Sequence, residues 1–418
     1  MEKIEFINQI ISIVFTICYF YQIVYILIPF IIKQRASKKA LKLHKYAVLI
    51  SARNEESVIT QLIDSIRGQT YPGELITVFV VADNCTDSTA DAARSAGAVV
   101  YERFNLVNVG KGFALDYLLD KIRTDYPKGA FDGFFVFDAD NLLDESFISE
   151  MNKTFSDGHE IITSCRNSKN YAKNWISAGY SLWFLRESHY LNYPRMLIGS
   201  SCAVSGTGFL VSGRIIEKNG GWKFFTLTED IEFSVHSIIN GRRIAYCKNA
   251  VLYDEQPVTF KQSWNQRLRW AKGFFQVFRK YGGRLVGGIV RRRSWACFDL
   301  LMTIMPAVFL TVFCALTNAL AVAVTLSAGS NAMVVVKSLL ITAMNAYLLL
   351  FAVGGITVVT KWRMIHCKPV FKILYLFTFP LFMFTYVPIT IVAIFKRVEW
   401  TPIAHTEVKT LQEVRNGR

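Results

Sequence analysis

Apolar residues in this chain gather into four long runs that bracket a charged, water-facing middle. Ile7–Ile32 is almost free of charge, and so are Leu300–Ala328, Val334–Thr360 and Ile373–Phe395. Each exceeds the roughly 18–20 residues that a helix needs to cross about 30 Å of hydrocarbon. Between Lys33 and Arg293 no comparable run occurs. The 418 residues therefore hold one domain of the water-facing kind, of about 250 residues, and a membrane part. The first run is too long for a secretory signal, and no small-residue cleavage site precedes the basic stretch behind it, so it reads as an anchor.

A net charge of +15 raises the question of a nucleic-acid partner. The positions of the charges argue against one. Lys33, Arg35, Lys38, Lys39, Lys42 and Lys45 follow the first run, and Arg279, Lys280, Arg284 and Arg291 to Arg293 precede the second. Basic residues crowded at membrane borders follow the positive-inside rule, which predicts a cytoplasmic middle domain on a multi-pass plasma-membrane protein, with anionic lipids as neighbours. The uncharged link Ser327–Met333 suits the outer face. The eight cysteines form no C-x-x-C pair and read as reduced thiols. The six histidines show no zinc spacing, and no G-x-S-x-G elbow is present.

Within the middle, strand and helix patterns alternate. Tyr46–Ala52 is a buried-strand run ending at Arg53-Asn54-Glu55-Glu56. Ser57–Gln69 then spaces Val58, Leu62, Ile63 and Ile66 along one helical face. Leu75–Ala82, Ala98–Tyr101 and Phe134–Phe137 are the next strands. Asp87 or Ser88 caps one intervening helix, and Gly112–Ile122 forms another. Units of this length predict an α/β fold with a mostly parallel sheet covered by helices. Ligands in such sheets bind beyond the carboxyl ends of the strands. Those ends carry Asn54/Glu55, Asp83 and Asp138/Asp140. After Glu150 the alternation fades into an aromatic helix over Trp175–Tyr193 and the small-residue segment Gly199–Gly208.

Four short motifs could carry chemistry, and each has a plainer reading. Asp138 and Asp140 are two apart at a strand end, so their carboxylates leave one face and suit Mg²⁺ or Mn²⁺ carrying diphosphate oxygens; they could equally cap the next helix. Gly110-Lys111-Gly112 could set a lysine against a phosphate, although it lacks Walker A spacing, or be a glycine turn. In Thr228-Glu229-Asp230 a carboxylate could take a proton from an attacking hydroxyl, or the cluster could simply start a helix capped by Thr228. On a helix Gln266, Arg269 and Trp270 share one face, which suits a diphosphate and a sugar ring. The same residues would also serve as interfacial anchors.

Taken in order, Asn54-Glu55, Asp83, Lys111, Asp138-x-Asp140, Thr228-Glu229-Asp230 and Gln266-x-x-Arg269-Trp270, followed by apolar helices, resemble the family 2 inverting glycosyltransferases. The subgroup most similar is the membrane-integrated synthases of cellulose, hyaluronan, chitin and poly-N-acetylglucosamine. The resemblance implies a glycosyltransferase-A-like fold. It implies a nucleotide-diphosphate sugar donor of the UDP-sugar kind, contacted by Asn54, Glu55, Asp83, Lys111, Asp138 and Arg269. It places Mg²⁺ or Mn²⁺ on Asp138 and Asp140, the general base at Asp230 with Glu229 beside it, and the acceptor against Trp270, Gln266, Gly206 and Thr207. It implies a growing β-linked polysaccharide as product, with an accessory export subunit possible. The nearest alternative is a single transfer to a lipid such as a polyprenyl phosphate or a ceramide-like acceptor.

The expected division is a membrane helix at 1–34, the cytoplasmic transferase domain at 45–260, interfacial amphipathic helices at 261–296, membrane helices at 297–398 and a tail at 399–418. Counting every run as a span puts the tail outside. Pro380 and Pro388 interrupt the last run, which is expected to lie at the interface or re-enter, keeping the tail cytoplasmic. His405 stands where an arginine is common in the tryptophan-bearing tail motif Trp400–Thr406, and no phosphate contact is assigned to it.

Overall fold

A computed structural model of the protein describes residues 2–34, 40–327, 333–403 and 405–417. Arg35, Lys38 and Lys39, and the uncharged link at 328–332, lie outside the described residues. Eight strands form one sheet: β1 (Tyr46–Ala52), β2 (Ile76–Asp83), β3 (Val99–Arg103), β4 (Gly133–Asp138), β5 (Leu142–Leu143), β6 (Ile161–Ser168), β7 (Phe209–Ser212) and β8 (Ile244–Asp254). Their order across the sheet is β3-β2-β1-β4-β7-β6-β8-β5.

The first four strands pair in parallel, in the register their sequence runs suggest. β1 is an unbroken apolar run because both its faces are covered. Alternate residues go to opposite sides. Val48 and Ile50 pack with Leu62, Ile63 and Ile66 of the Ile59–Arg67 helix. Ala47 and Leu49 pack with Leu115 and Leu118 of the Lys111–Asp125 helix. The register sets Ser51 beside Asp138 and Ala52 beside Ala82, so the carboxyl ends of β1, β2 and β4 lie side by side. Beyond β4 the sheet is mixed: β7 is antiparallel to β4 and β6, and β5 to β8. The expected parallel character therefore holds for the half that presents Asp83 and Asp138. The sequence alternation fades where antiparallel pairing begins, since antiparallel neighbours need no helical crossover.

Among the described residues three helices are long and apolar enough to cross a membrane, at Phe6–Ile31, Val335–Thr360 and Pro369–Phe395. The expected span Leu300–Ala328 is instead two helices, Trp295–Ile304 and Pro306–Ser327. Pro306 explains the break: it has no N–H to give and pushes the residue before it out of helical geometry, and Met305 sits at φ −138°. Asn318 in the second of these helices exchanges amide hydrogen bonds of 2.9 Å with Asn8 of the N-terminal helix. Paired amides of this kind hold apolar helices together where water cannot compete. The last run bends at Thr385, three residues before Pro388. Arg267, fully buried, caps that bend by donating to Phe382 O and Thr385 Oγ1.

The N-terminal helix is fastened to the domain by Asp299. Its carboxylate accepts from Arg195 Nε (2.7 Å) and Nη2 (2.6 Å), and from the hydroxyls of Tyr21 and Tyr25 at 2.9 Å each. The tail returns across the domain. Thr406 N and Glu407 N donate to Glu255, Lys173 pairs with Glu407, and Arg415 pairs with Asp144 and Glu145.

Candidate active site

One cavity of about 720 Å³ collects most of the residues that the sequence singled out. Its wall includes Glu55, Asp83, Lys111, Asp138, Asp140, Gly206, Glu229, Asp230, Gln266, Arg269 and Trp270. Asn54 and Thr207 do not line it. Asn54, at φ 57°, turns its carboxamide to Thr86 N (2.8 Å) and fixes the loop after β2. Thr207 is buried and accepts from Asp138 N at 2.9 Å, so it steadies the end of β4.

Each of these groups has a local cause for its position. Lys111 starts its helix after Gly110, at φ 132°. Its Nζ bonds to Asp138 Oδ1 and, at 2.9 Å, to Gly206 O. Burial would lower the Lys111 pKa, but Asp138, Glu229 and Asp230 outweigh that and raise it. Gly112 permits the close packing behind this lysine, because a Cβ there would fall 2.1 Å from Phe224 O. The helix Glu229–Ile239 begins at Thr228, whose hydroxyl makes no cap hydrogen bond. Glu232, one turn into the helix, accepts from Phe225 N (3.0 Å) and Thr226 N (2.9 Å) of the preceding segment and so fixes the approach to Glu229 and Asp230.

Asp230 accepts from Gly206 N at 2.7 Å, a donor that the positive φ of Gly206 turns inward. Burial raises the Asp230 pKa against the pull of backbone N–H groups, Lys111 and Arg269. Burial also lifts Glu229, to about 7, with the Asp230 charge adding to it. Arg269 donates to Leu227 O at 2.9 Å. Trp270 stands edge-on to Tyr180 and Phe184, with ring centres 5.8 and 6.1 Å away. Among the described residues the buried Gln266 Oε1, at the cavity wall, has no hydrogen-bond donor.

Asp138 and Asp140 offer hard carboxylate oxygens that fit a divalent cation. Among the described residues no three His, Cys, Asp or Glu side chains converge as a self-sufficient metal cage. Such a pair would hold Mg²⁺ or Mn²⁺ only together with oxygens from a ligand. Asp140 is also held from behind by Glu255 N at 2.7 Å.

Several wall residues escaped the sequence reading. His405 Nδ1 lies 2.8 Å from Glu55 Oε1. Burial alone would push its pKa down, yet Asp140, Glu55 and Glu255 lift it to about 10. Trp400 lies against Arg53, whose guanidinium is 5.3 Å from its ring. The tail motif was the available signal, but nothing local in it names Glu55 as the partner. Arg166 pairs with Asp254, and Glu187 accepts from Ser205 Oγ at 3.3 Å; both border the cavity. At its other end the wall changes character: Ile23 and Ile26 of the N-terminal helix, Leu349 and Val353, and Met383 and Val387 are all part of it.

Comparison with known proteins agrees with this arrangement. Over residues 44–273 the sequence matches the family described as glycosyltransferase like family 2. A probable glycosyltransferase, YdaM, of Bacillus subtilis is 27% identical over 262 residues, 57% of each chain. A beta-monoglucosyldiacylglycerol synthase of Synechocystis is 25% identical, covering 56% of this chain and 48% of that one. A probable glucomannan 4-beta-mannosyltransferase of Oryza sativa is 24% identical, covering 56% and 45%. The chain thus spans about half the length of the curated relatives it matches. A mannosyltransferase of Pyrobaculum calidifontis, solved with GDP-Man and Mn²⁺, shares the fold at TM-score 0.57 and 16% identity, over 94% of this chain and 99% of that one. With the family match spanning more than half of the chain and the acidic strand ends of its sheet gathered in one cavity, the protein belongs to the family 2 glycosyltransferases.

Proposed function

We propose that the protein transfers one sugar from a nucleoside-diphosphate donor to the hydroxyl of a membrane lipid, with inversion at the anomeric carbon. The observation that carries this reading is the single cavity that joins Asp138, Asp230 and Arg269 to the apolar side chains Ile23, Leu349, Val353 and Met383. An acyl or prenyl chain lying along those helices would bring its headgroup to Asp230 without leaving the bilayer border.

The donor's nucleoside would lie by Asp83 and the Arg53–Glu55 segment, under the tail strap of Trp400 and His405. Asp138 and Asp140 would hold Mg²⁺ or Mn²⁺, which supplies positive charge to the diphosphate as it leaves. Arg269 would add a second, fixed charge there, with Lys111 holding Asp138 in place. Asp230, kept basic yet partly desolvated, takes the proton of the attacking hydroxyl. One displacement turns an α-linked donor into a β-linked product. Trp270 stacks on the acceptor and Gln266 accepts from it, while Gly206 orients Asp230.

The turn that precedes the Pro369–Phe395 helix and the last turn of that helix both meet the part of the chain matched by the family, through Asn167 to Met364 O and Lys272 to Ala393 O. Together with the docked tail this supports a re-entrant last segment, with domain and tail on the cytoplasmic face of the plasma membrane. A growing glycan is the second reading, and the aromatic group Trp270, Tyr180, Phe184 and Trp183 favours it. Only that reading calls for an export subunit.

Filling the apolar groove tests the choice. Val353→Trp is expected to lower transfer to lipid roughly tenfold or more, as overpacking a fitted groove costs about 1–3 kcal/mol, with donor affinity unchanged by calorimetry. Unaltered lipid transfer would remove the groove from the site. The strap gives another expected result. His405→Ala, which strips the cation from Glu55, should raise the donor KM roughly tenfold, since a charged hydrogen bond is worth about 1.5–3 kcal/mol. The kcat at saturating donor should change little; a fall in kcat alone would place His405 in the chemical step.

A further inference from the structure

Arginines on the cavity wall differ in how they are satisfied. Arg166 is paired with Asp254, and Arg195 with Asp299. Arg186, near the end of the Trp175–Glu187 helix, has no carboxylate within ion-pair distance among the described residues. Its Nη2 donates to Gln22 Oε1 of the N-terminal helix at 2.6 Å, the one hydrogen bond of its side chain among the described residues. Its guanidinium lies 5.0 Å from the Trp183 ring. The next residue, Glu187, acts on Arg186 through its charge but makes no ion pair with it, and its carboxylate accepts from Ser205 Oγ at 3.3 Å.

A guanidinium has five N–H donors in a rigid fork and stays charged under nearly all conditions. Leaving such a group in a protein wall without a direct ion-pair partner is costly unless a ligand supplies one. An arginine that merely anchors a membrane border stretches toward water. This one is instead held sideways between Gln22 and Trp183, and all three side chains line the cavity that contains Asp230. The fork matches the oxygens of a phosphate in geometry and charge. Asp230 can take a proton and Arg186 cannot, so a headgroup that reaches both would present a hydroxyl to the first and an anion to the second.

We propose that Arg186, oriented by Gln22, binds a phosphate group in the headgroup of the lipid acceptor, making the acceptor a phosphate-bearing lipid with a free hydroxyl. This rests on the lipid-acceptor reading and narrows it. It also gives the N-terminal helix a part in selecting the acceptor.

Binding, not turnover, is the test, so that its failure is distinct from failure of the transfer reading. The detergent-purified full chain is titrated with dioctanoyl phosphatidylglycerol and with dioctanoylglycerol, and retained lipid is counted by native mass spectrometry. Wild type is expected to hold the phosphate-bearing lipid about tenfold more tightly. Arg186→Gln should erase that preference, Arg186→Lys should keep part of it, and Arg291→Gln at the basic border should leave it intact. Inorganic phosphate should not displace the lipid. Equal affinity for both lipids, a preference that survives Arg186→Gln, or full displacement by inorganic phosphate would each overturn the assignment. Sugar transfer to a soluble glycan and to no lipid would instead overturn the transfer reading.

Discussion

Replacing Asp230 by Asn is expected to lower kcat by roughly 10²–10⁴-fold, the usual contribution of a positioned general base. The amide oxygen can still accept from Gly206 N, which Asp230 engages at 2.7 Å, so the loop should keep its shape. Donor affinity should therefore stay within about twofold, because the groups proposed to hold the donor, Asp83, Asp138 and Arg269, are untouched. Glu229 sharpens the test. It is buried beside Asp230 with its pKa lifted to about 7, so it could serve as a base if geometry allowed. Running Glu229→Gln in parallel separates the two. A kcat loss confined to Glu229→Gln would move the base to that residue, and a loss below tenfold in both would remove base catalysis from this pair.

Asp299→Ala is the largest expected effect on stability, a loss of roughly 3–5 kcal/mol, the range for removing one member of a buried ion pair. Asp299 and Arg195 are 2% and 3% exposed, so their pairing is not screened by solvent. Truncation strands the Arg195 charge and leaves two tyrosine hydroxyls, of Tyr21 and Tyr25, without their acceptor. The N-terminal helix should loosen from the domain. Thermal unfolding in detergent, with proteolysis between residues 32 and 45 as a second readout, would show it. Asp299→Asn should fall between the two, since it retains hydrogen bonds but not charge. An unchanged midpoint for Asp299→Ala would mean that the helix is held chiefly by its apolar face.

The parallel half of the sheet was readable from sequence because doubly covered strands must be apolar without interruption. Tyr46–Ala52 appears in the structure with the same limits. The acidic ends of β2 and β4 were readable for the same reason: a carboxylate closing an apolar run marks the strand end. Gln266, Arg269 and Trp270 share a cavity wall, as helical spacing requires. What escaped depends on contacts between distant parts of the chain. His405 meets Glu55 across 350 positions, and Gln22 meets Arg186 across 164. No local periodicity encodes either meeting. The division at Met305 was overlooked for another reason: hydropathy averaged over a window does not register the missing N–H of Pro306.

The central claim is that one cavity serves both the nucleotide sugar and a membrane lipid, and the partition of the product tests it most directly. Detergent-purified protein with Mn²⁺ or Mg²⁺ is given radiolabelled UDP-glucose, UDP-N-acetylglucosamine or GDP-mannose in the presence of membrane lipid extract. The expected result is label that enters the organic phase as a single-sugar adduct and is lost in Asp230→Asn. Label found only in high-molecular-weight, water-soluble material would contradict it and return the protein to the polysaccharide synthases.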